Sequence, residues 1–257
     1  MKNIRLDDLE AIPVITTDKD SIKKEREMLT KQLIAIQDKL FAQHKYSVLI
    51  ILQGIDTAGK DNAVKRVFSG VNPAGCLVKS FKVPSVEEAD HHFLWRINTF
   101  CPSKGMISIF NRSHYEDILI PLLNHTLDNK AFKQRCAEIN VFEAGLVNDN
   151  TIVIKIYLHI SHKEQVKRLE ERKVDPNKKW KYTNADHMTI KEYHAFIKSY
   201  EMIFENCNEV KWNIIPSDKK WYKNYCILKL IVDTLVQYDI RYPLINTFKQ
   251  TTKELVL

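Results

Sequence analysis

Apolar residues fall into two patterns along this chain: short unbroken runs and longer stripes at helical spacing. Val48-Leu49-Ile50-Ile51-Leu52 is apolar and branched with no alternation. That marks a strand buried on both faces and predicts a strand over 46–52. Met106-Ile107-Ser108-Ile109-Phe110 and Thr151 to Leu158 read the same way, and shorter runs at 76–81 and Val210 to Pro216 add two more strands. Helical segments lie between them. A long helix from Thr17 carries Ile22, Leu29, Leu33, Ile36 and Leu40 on one stripe. Residues 62–68 form a short helix stopping at Gly70, and Ser85 with Glu88 makes a capping box for a helix to about Phe100. Helices follow from His114 to about Leu123 and from Lys130 to Asn148, the latter with Phe132, Cys136, Ile139, Phe142 and Leu146 inward. Ser161 and Glu164 give a second capping box for a helix to about Arg172. Thr189 and Glu192 cap another to about Asn206, and Lys219 to about Tyr238 closes the fold. Residues 1–16 read as extended, 173–187 as a flap without apolar period, and 241–257 as a tail.

Strands alternating with helices predict an α/β domain: a five-stranded parallel sheet with helices on both faces. Right-handed crossovers place every strand's carboxyl end on one edge. No repeat, low-complexity segment or linker interrupts the chain, so 1–257 is expected to be a single domain.

The chemistry enters directly after the first strand. Gly54-Ile55-Asp56-Thr57-Ala58-Gly59-Lys60-Asp61 keeps the spacing G-x4-G-K between a strand and a helix, the phosphate-binding loop arrangement. Gly54 and Gly59 let backbone N–H groups, with Thr57 and Ala58 between them, turn around phosphate oxygens, and the helix presents its positive end to the same anion. Lys60 adds a mobile cation. A glycine pair on its own more often makes a plain tight turn; here strand, helix and lysine agree on a phosphate seat. The loop carries Asp61 where Ser or Thr is usual, and a second acid at Asp56. Two carboxylates in a phosphate cradle point to metal ions between them and the phosphates.

Charge extends this picture. The net charge is +7, and its placement is uneven. Lys163 to Lys181 holds eight basic residues against four acidic, and Lys60 to Lys82 five against Asp61 alone. Both excesses lie near the loop and imply a polyanionic partner, nucleic acid or a long phosphate chain. Solvated helix faces account for Lys65 and Lys163 equally well. The five cysteines are scattered without a C-x-x-C, reading as reduced core residues of a cytoplasmic protein. No run of eighteen apolar residues is present, so no membrane span is expected, and residues 1–8 do not form a secretory signal.

Several strings are similar to one family. Gly54-x-Asp56-x-Ala58-Gly59-Lys60-Asp61, Phe68-Ser69-Gly70-Val71-Asn72-Pro73, Ser80-Phe81-Lys82-x-Pro84 and Phe93-Leu94-Trp95-Arg96 resemble the polyphosphate kinase 2 family. Phe110 to Asp117 looks like its Walker B region, Asp175-Pro176-x-Lys178-x-Trp180-Lys181 like its lid, and Asp218-x-Lys220-Trp221-Tyr222-x-Asn224 like the start of its last helix. The resemblance covers roughly residues 30 to 243. It implies a P-loop kinase fold similar to thymidylate kinase, a helical lid at about 161–190, and magnesium-dependent phosphoryl transfer between inorganic polyphosphate and nucleotides. Manganese is an alternative ion, guanine an alternative base, and a homo-oligomer is expected. Tyr115-Glu116-Asp117 resembles the class III subgroup, which phosphorylates both AMP and ADP. Asn111 stands where the Walker B motif often has Asp, leaving the second metal carboxylate open among Asp56, Asp61, Glu116 and Asp117.

The roles this implies follow from bringing anions together. Backbone N–H groups of 55–60 and Lys60 cradle phosphate, and Asp56 and Asp61 hold magnesium. Arg112 clamps the transferring group, and Arg168 and Arg172 act as lid cations. Lys79, Lys82 and the flap lysines line a track for the chain, and Glu116 and Asp117 sit near the acceptor. Each has a plainer reading: Arg112 as a strand-end ion pair, Arg168 paired with Glu164 or Glu171, Trp180 as a flap anchor, Asp117 as a first-turn acid. Two rival functions share the loop, a nucleic-acid-binding protein and an ATP-dependent nucleoside monophosphate kinase. No nucleic-acid module is visible, and a monophosphate kinase needs no long basic track.

Overall fold

The apolar run at Ser47–Gln53 becomes the central strand β1, buried along its whole length. In the computed structural model of the chain, which describes residues 4–12, 18–177, 179–181 and 189–244, β1 pairs in parallel with β3 (Ile107–Asn111) and β4 (Thr151–His159). β2 (Cys76–Ser80) lies outside β3 and β5 (Trp212–Pro216) outside β4, so the order is β2-β3-β1-β4-β5. All four pairings are parallel, as the unbroken apolar runs require. The strands' carboxyl ends therefore share one edge.

Two helical layers cover the sheet. α1 (Lys19–Gln43) and α2 (Lys60–Val67) pack with the last helix; α5 (Glu116–Leu123), α6 (Asn129–Asn148) and α8 (Tyr193–Asn206) pack with one another. α3 (Val86–Asp90) and α4 (Trp95–Asn98) are short, α7 (His162–Val174) follows β4, and α9 (Lys220–Leu235) closes the fold. Among the described residues no helix is long and apolar enough to cross a membrane.

Several expected boundaries move, each for a local reason. α1 starts at Lys19, because Asp18 accepts from the amides of Asp20 and Ser21. The expected helix over 85–100 is two pieces. Its capping box at Ser85 and Glu88 forms, but α3 buries no residue, and His91 breaks it in extended conformation. At Ser161 half of the second box forms. Ser161 Oγ accepts from Glu164 N, while Asp218 Oδ1, not Glu164, takes the Ser161 amide. Residues 189–191 are helical as expected, but a turn at Glu192 separates them from α8, which starts at Tyr193; β5 begins at Trp212 rather than Val210. On α6, Glu143 turns fully inward where Phe142 and Leu146 are only partly buried. Much of the flap at 173–187 and of the tail lies outside the described residues; Trp180 stays exposed, its indole N–H donating to Asn177 O at 3.0 Å.

Residues 4–12, expected to be extended, contain a short 3-10 turn at Leu6–Asp8. They form a strap across the strands' carboxyl edge. Leu6 is fully buried and its amide donates to Glu201 at 2.7 Å. Leu9 O meets His159 Nε2 at 3.2 Å, and Ala11 O accepts from Asp218 N at 3.3 Å.

Candidate active site

β1 delivers the chain to a loop that few residue types could make. Gly54 has φ +149°, and a Cβ there would stand 2.9 Å from the carbonyl oxygen of Leu158 on β4. Thr57 adopts the left-handed region at φ 68°, and Gly59 follows at φ 95° as the residue before α2. Lys60 opens α2 and folds back over the loop, Nζ donating to Gly54 O at 2.6 Å and reaching Ile55 O at 3.3 Å. Burial, then the nearby Arg112, pushes the ammonium down to about 8, with Asp56, Glu116 and Asp61 pulling the other way. Thr57 Oγ1 is buried in the same loop with no hydrogen-bond partner, an orphan donor that a phosphate oxygen would satisfy.

The end of β3 faces this loop. Arg112 leaves the strand with a positive φ of 62°, rare for a bulky residue and frequent at working sites. Its guanidinium binds Asp56 Oδ1 at 2.7 Å and stands 3.8 Å from Glu116 Oε2. Burial favours its loss of a proton, but the two acids outweigh that and raise its pKa further. Burial raises the Glu116 carboxyl above its usual range against the pull of Arg112 and Lys60. Gln53 satisfies its neighbours in one amide orientation, Nε2 donating to Glu116 Oε1 at 3.0 Å and Oε1 accepting from Ser113. Asn111 Nδ2 donates to Asp61 Oδ1 at 2.7 Å, so the Asn in the Walker B position binds a loop acid instead of adding one. Lys60, Asp56, Arg112 and Glu116 thus form one cluster of alternating charge, with Asp61 beside it.

The loop is also gripped from outside. Arg168 on α7 donates from Nη1 to Thr57 O at 3.0 Å and Ala58 O at 3.5 Å, and from Nη2 to Ser217 O and Asp218 O at 2.8 and 2.9 Å. Its Nε binds Glu164 at 2.8 Å. Ser217 Oγ donates to Ala58 O, and Lys223 Nζ to Gly59 O at 2.8 Å.

The family model for polyphosphate kinase 2 matches residues 16–243, most of the chain. The chain belongs to the polyphosphate kinase 2 family. It is 37% identical over 218 residues to an AMP/ADP-polyphosphate phosphotransferase of Meiothermus ruber, covering 84% of this chain and 82% of that protein. It is 34% identical over 240 residues to an ADP-polyphosphate phosphotransferase of Rhodopseudomonas palustris, covering 88% and 82%. Among solved structures it superposes with TM-score 0.90 on polyphosphate kinase 2 from Arthrobacter aurescens, at 34% identity over 95% of this chain and 89% of that one. The α/β sheet is accordingly that of a P-loop kinase.

Against this polyphosphate kinase 2 fold, the expected site residues divide. Asp56, Lys60, Asp61, Arg112 and Glu116 come together. Asp117 instead binds Arg96 Nη2 at 3.1 Å, and its backbone carbonyl accepts from Arg135. Arg96, buried at 4% exposure, also donates to Lys82 O at 2.9 Å, so this trio clasps the start of α5. Arg168 serves the loop backbone, because all its donors are spent on carbonyls and Glu164; Arg172 lies a turn further along α7. Lys79 lies on the edge strand β2, outside β3, and Lys82 two residues beyond that strand's end. Lys79 Nζ rests 3.7 Å over the Phe100 ring, and Lys82 is exposed.

Lys223, Ser217 and Gln53 escaped the motif reading. Lys223 occupies the unspecified position between Tyr222 and Asn224. One signal could have found it: Lys223, Ile227, Ile231 and Leu235 recur every four residues on the buried stripe of α9. A lysine on such a stripe needs a polar destination.

Proposed function

We propose that this protein moves phosphoryl groups between inorganic polyphosphate and adenine nucleotides, converting AMP to ADP and ADP to ATP. The carrying observation is the buried Lys60 beside the Arg112–Asp56–Glu116 cluster, with the orphan Thr57 Oγ1 in the same loop. Such a site binds phosphate on one side and has cations and acids on the other. The relatives named for AMP and ADP support the nucleotide choice.

The acceptor phosphate is already ionised near neutral pH, its second pKa being about 6, so no strong base is needed. Rate comes from positioning and from neutralising charge on the transferring group. Lys60 and the amides of the loop hold the terminal phosphates. Arg112 carries its charge beside the position where donor and acceptor meet, and its bond to Asp56 fixes its direction. Asp56 and Asp61 have carboxylate oxygens suited to magnesium, which takes one or two carboxylates and completes its shell with phosphates and water. When bound, magnesium would shield the phosphate charges; Asn111 holds Asp61 in place for it.

The test is direct. The pure protein is incubated with magnesium, AMP or ADP, and either long-chain polyphosphate or ATP as donor, and products are separated by chromatography. ADP and ATP formed from polyphosphate are expected. Product from ATP and AMP with none from polyphosphate would replace this reading with a nucleoside monophosphate kinase.

A further inference from the structure

Lys223 is fully buried, and its ammonium ends on a backbone carbonyl of the phosphate loop. The charged groups facing it are Lys60 from the loop, Arg168 from α7 and Lys220 from its own helix, all cations. The nearby acid Asp218 is engaged by Ser161, which donates from both its amide and its hydroxyl. A buried lysine among cations is costly, and nothing in the packing of α9 demands one, since the next residues on its stripe are apolar.

The geometry shows what the arrangement accomplishes. In a planar trans peptide the carbonyl of one residue and the N–H of the next point in opposite directions. Ala58 O is held outside by Ser217 Oγ and Arg168, and Gly59 O by Lys223 together with the Ala63 amide of α2, which donates to it at 3.0 Å. The N–H groups of Gly59 and Lys60 are therefore aimed the other way, into the loop. The Ala58 N–H is already used within the turn, donating to Ile55 O at 3.2 Å, so Gly59 and Lys60 carry more of the anion binding. Gly59 is fitted to this contact, because a Cβ there would approach Lys223 Nζ to 2.5 Å.

We propose that Lys223 is a positioning residue for phosphoryl transfer: with Arg168 and Ser217 it holds the loop's carbonyls outward, and so sets the amides of Gly59 and Lys60 on the donor phosphate. This rests on the loop being the phosphate seat. The charge of Lys223 then has its counter-ion in the bound phosphate. Burial, followed by Arg168, Lys220 and Lys60, pushes its ammonium down to about 7 in the free protein. An anion in the loop favours the protonated form, so binding above that pH takes up a proton and weakens as pH rises.

The experiment compares wild type, Lys223→Met and Lys223→Arg. It reads transfer from polyphosphate to ADP and calorimetric binding of inorganic tripolyphosphate between about pH 7 and 8.5. Lys223→Met is expected to lower kcat about 10- to 100-fold, less than outright loss of an anion-hole donor, and to weaken tripolyphosphate about tenfold. The KM for ADP should change little. Lys223→Arg should recover most of kcat at pH 7. Because arginine does not deprotonate, it should also flatten the weakening of tripolyphosphate binding with pH. The proposal is overturned if folded Lys223→Met matches wild type in kcat and affinity. It is equally overturned if Lys223→Arg keeps the wild-type pH dependence, which decides the matter even where Lys223→Met does not fold. A wild type that ignores polyphosphate would sink the functional reading, while the tripolyphosphate affinities would still judge Lys223.

Discussion

Asp56 and Lys60 sit four residues apart in the loop and face different tasks. On the proposed reading Lys60 would bring a cation to phosphate, and Asp56, which anchors Arg112 at 2.7 Å, would offer its oxygens to a metal. Losing one preorganised contact of this kind costs about 2.7–4 kcal/mol in the transition state, so Lys60→Ala and Asp56→Asn should each slow transfer roughly 100- to 1000-fold. Turnover near wild type at saturating magnesium, in protein with an unchanged melting temperature, would remove the loop from the mechanism. Glu116 should govern nucleotide choice. AMP is one phosphate shorter than ADP, so its phosphate must be bridged to the donor differently. A buried carboxylate fixed by Gln53 and facing Arg112 can hold water or a metal ion in the gap. Glu116→Asn is expected to lower AMP phosphorylation much more than ADP phosphorylation. Equal loss of both rates under one donor and magnesium concentration would mean that Glu116 does not discriminate nucleotides, and no loss of either would leave it as a helix first-turn acid worth about 0.3–1 kcal/mol.

Elements were legible where one physical demand ruled. The inner strands β1, β3 and β4 announced themselves because burial on both faces leaves no room for polar alternation. α6 shows the limit. Its apolar stripe predicted Phe142 inward, yet Glu143 is the fully buried residue, because Lys155 at the middle of β4 needs a partner. Lys155 Nζ donates to Glu143 Oε2 at 2.7 Å, to Tyr115 Oη at 2.8 Å and to Cys207 O at 2.9 Å, and His114 Nε2 lies 3.2 Å from Glu143 Oε1. No periodicity in either segment announces a pairing between residues on different elements. The same holds for Arg168, whose i to i+4 partner Glu164 was visible while its four carbonyl acceptors were not. The network fixes His114 and Tyr115, and hence the place of Glu116. Glu143→Ala strands a buried lysine and should cost about 3–5 kcal/mol, read from denaturant unfolding; Glu143→Leu with Lys155→Met should recover much of it. A double variant as unstable as the sum of its parts would mean that the network is mere packing.

Across the whole molecule, a parallel sheet with one shared carboxyl edge followed from strand–helix alternation and right-handed crossovers, while the strand order did not. The lysines expected to line the path of a long donor, Lys79 and Lys82, lie on and just beyond the edge strand. Cations gather elsewhere as well: a cavity of about 480 Å³ beside α2 is lined in part by Arg26, Arg66 and Lys220. Whatever its course, a polyanion displaces counter-ions in proportion to the phosphates neutralised. Long polyphosphate should therefore lose affinity with added salt more steeply than AMP does, measured by titration at several ionic strengths. Parallel slopes would mean that the surface cations are merely solvated.

The strap of residues 4–12 imposes an order in time. Leu6, Leu9 and Ala11 leave the ribosome early, but the groups that hold them belong to Glu201, His159 and Asp218. At about 5–20 residues per second the first of these residues waits roughly 10–40 s for the last of its partners. Until then Leu6, which ends fully buried, has nowhere to dock. A nascent chain halted before residue 200 should leave residues 4–12 open to protease, and extension that brings out residue 218 should close them.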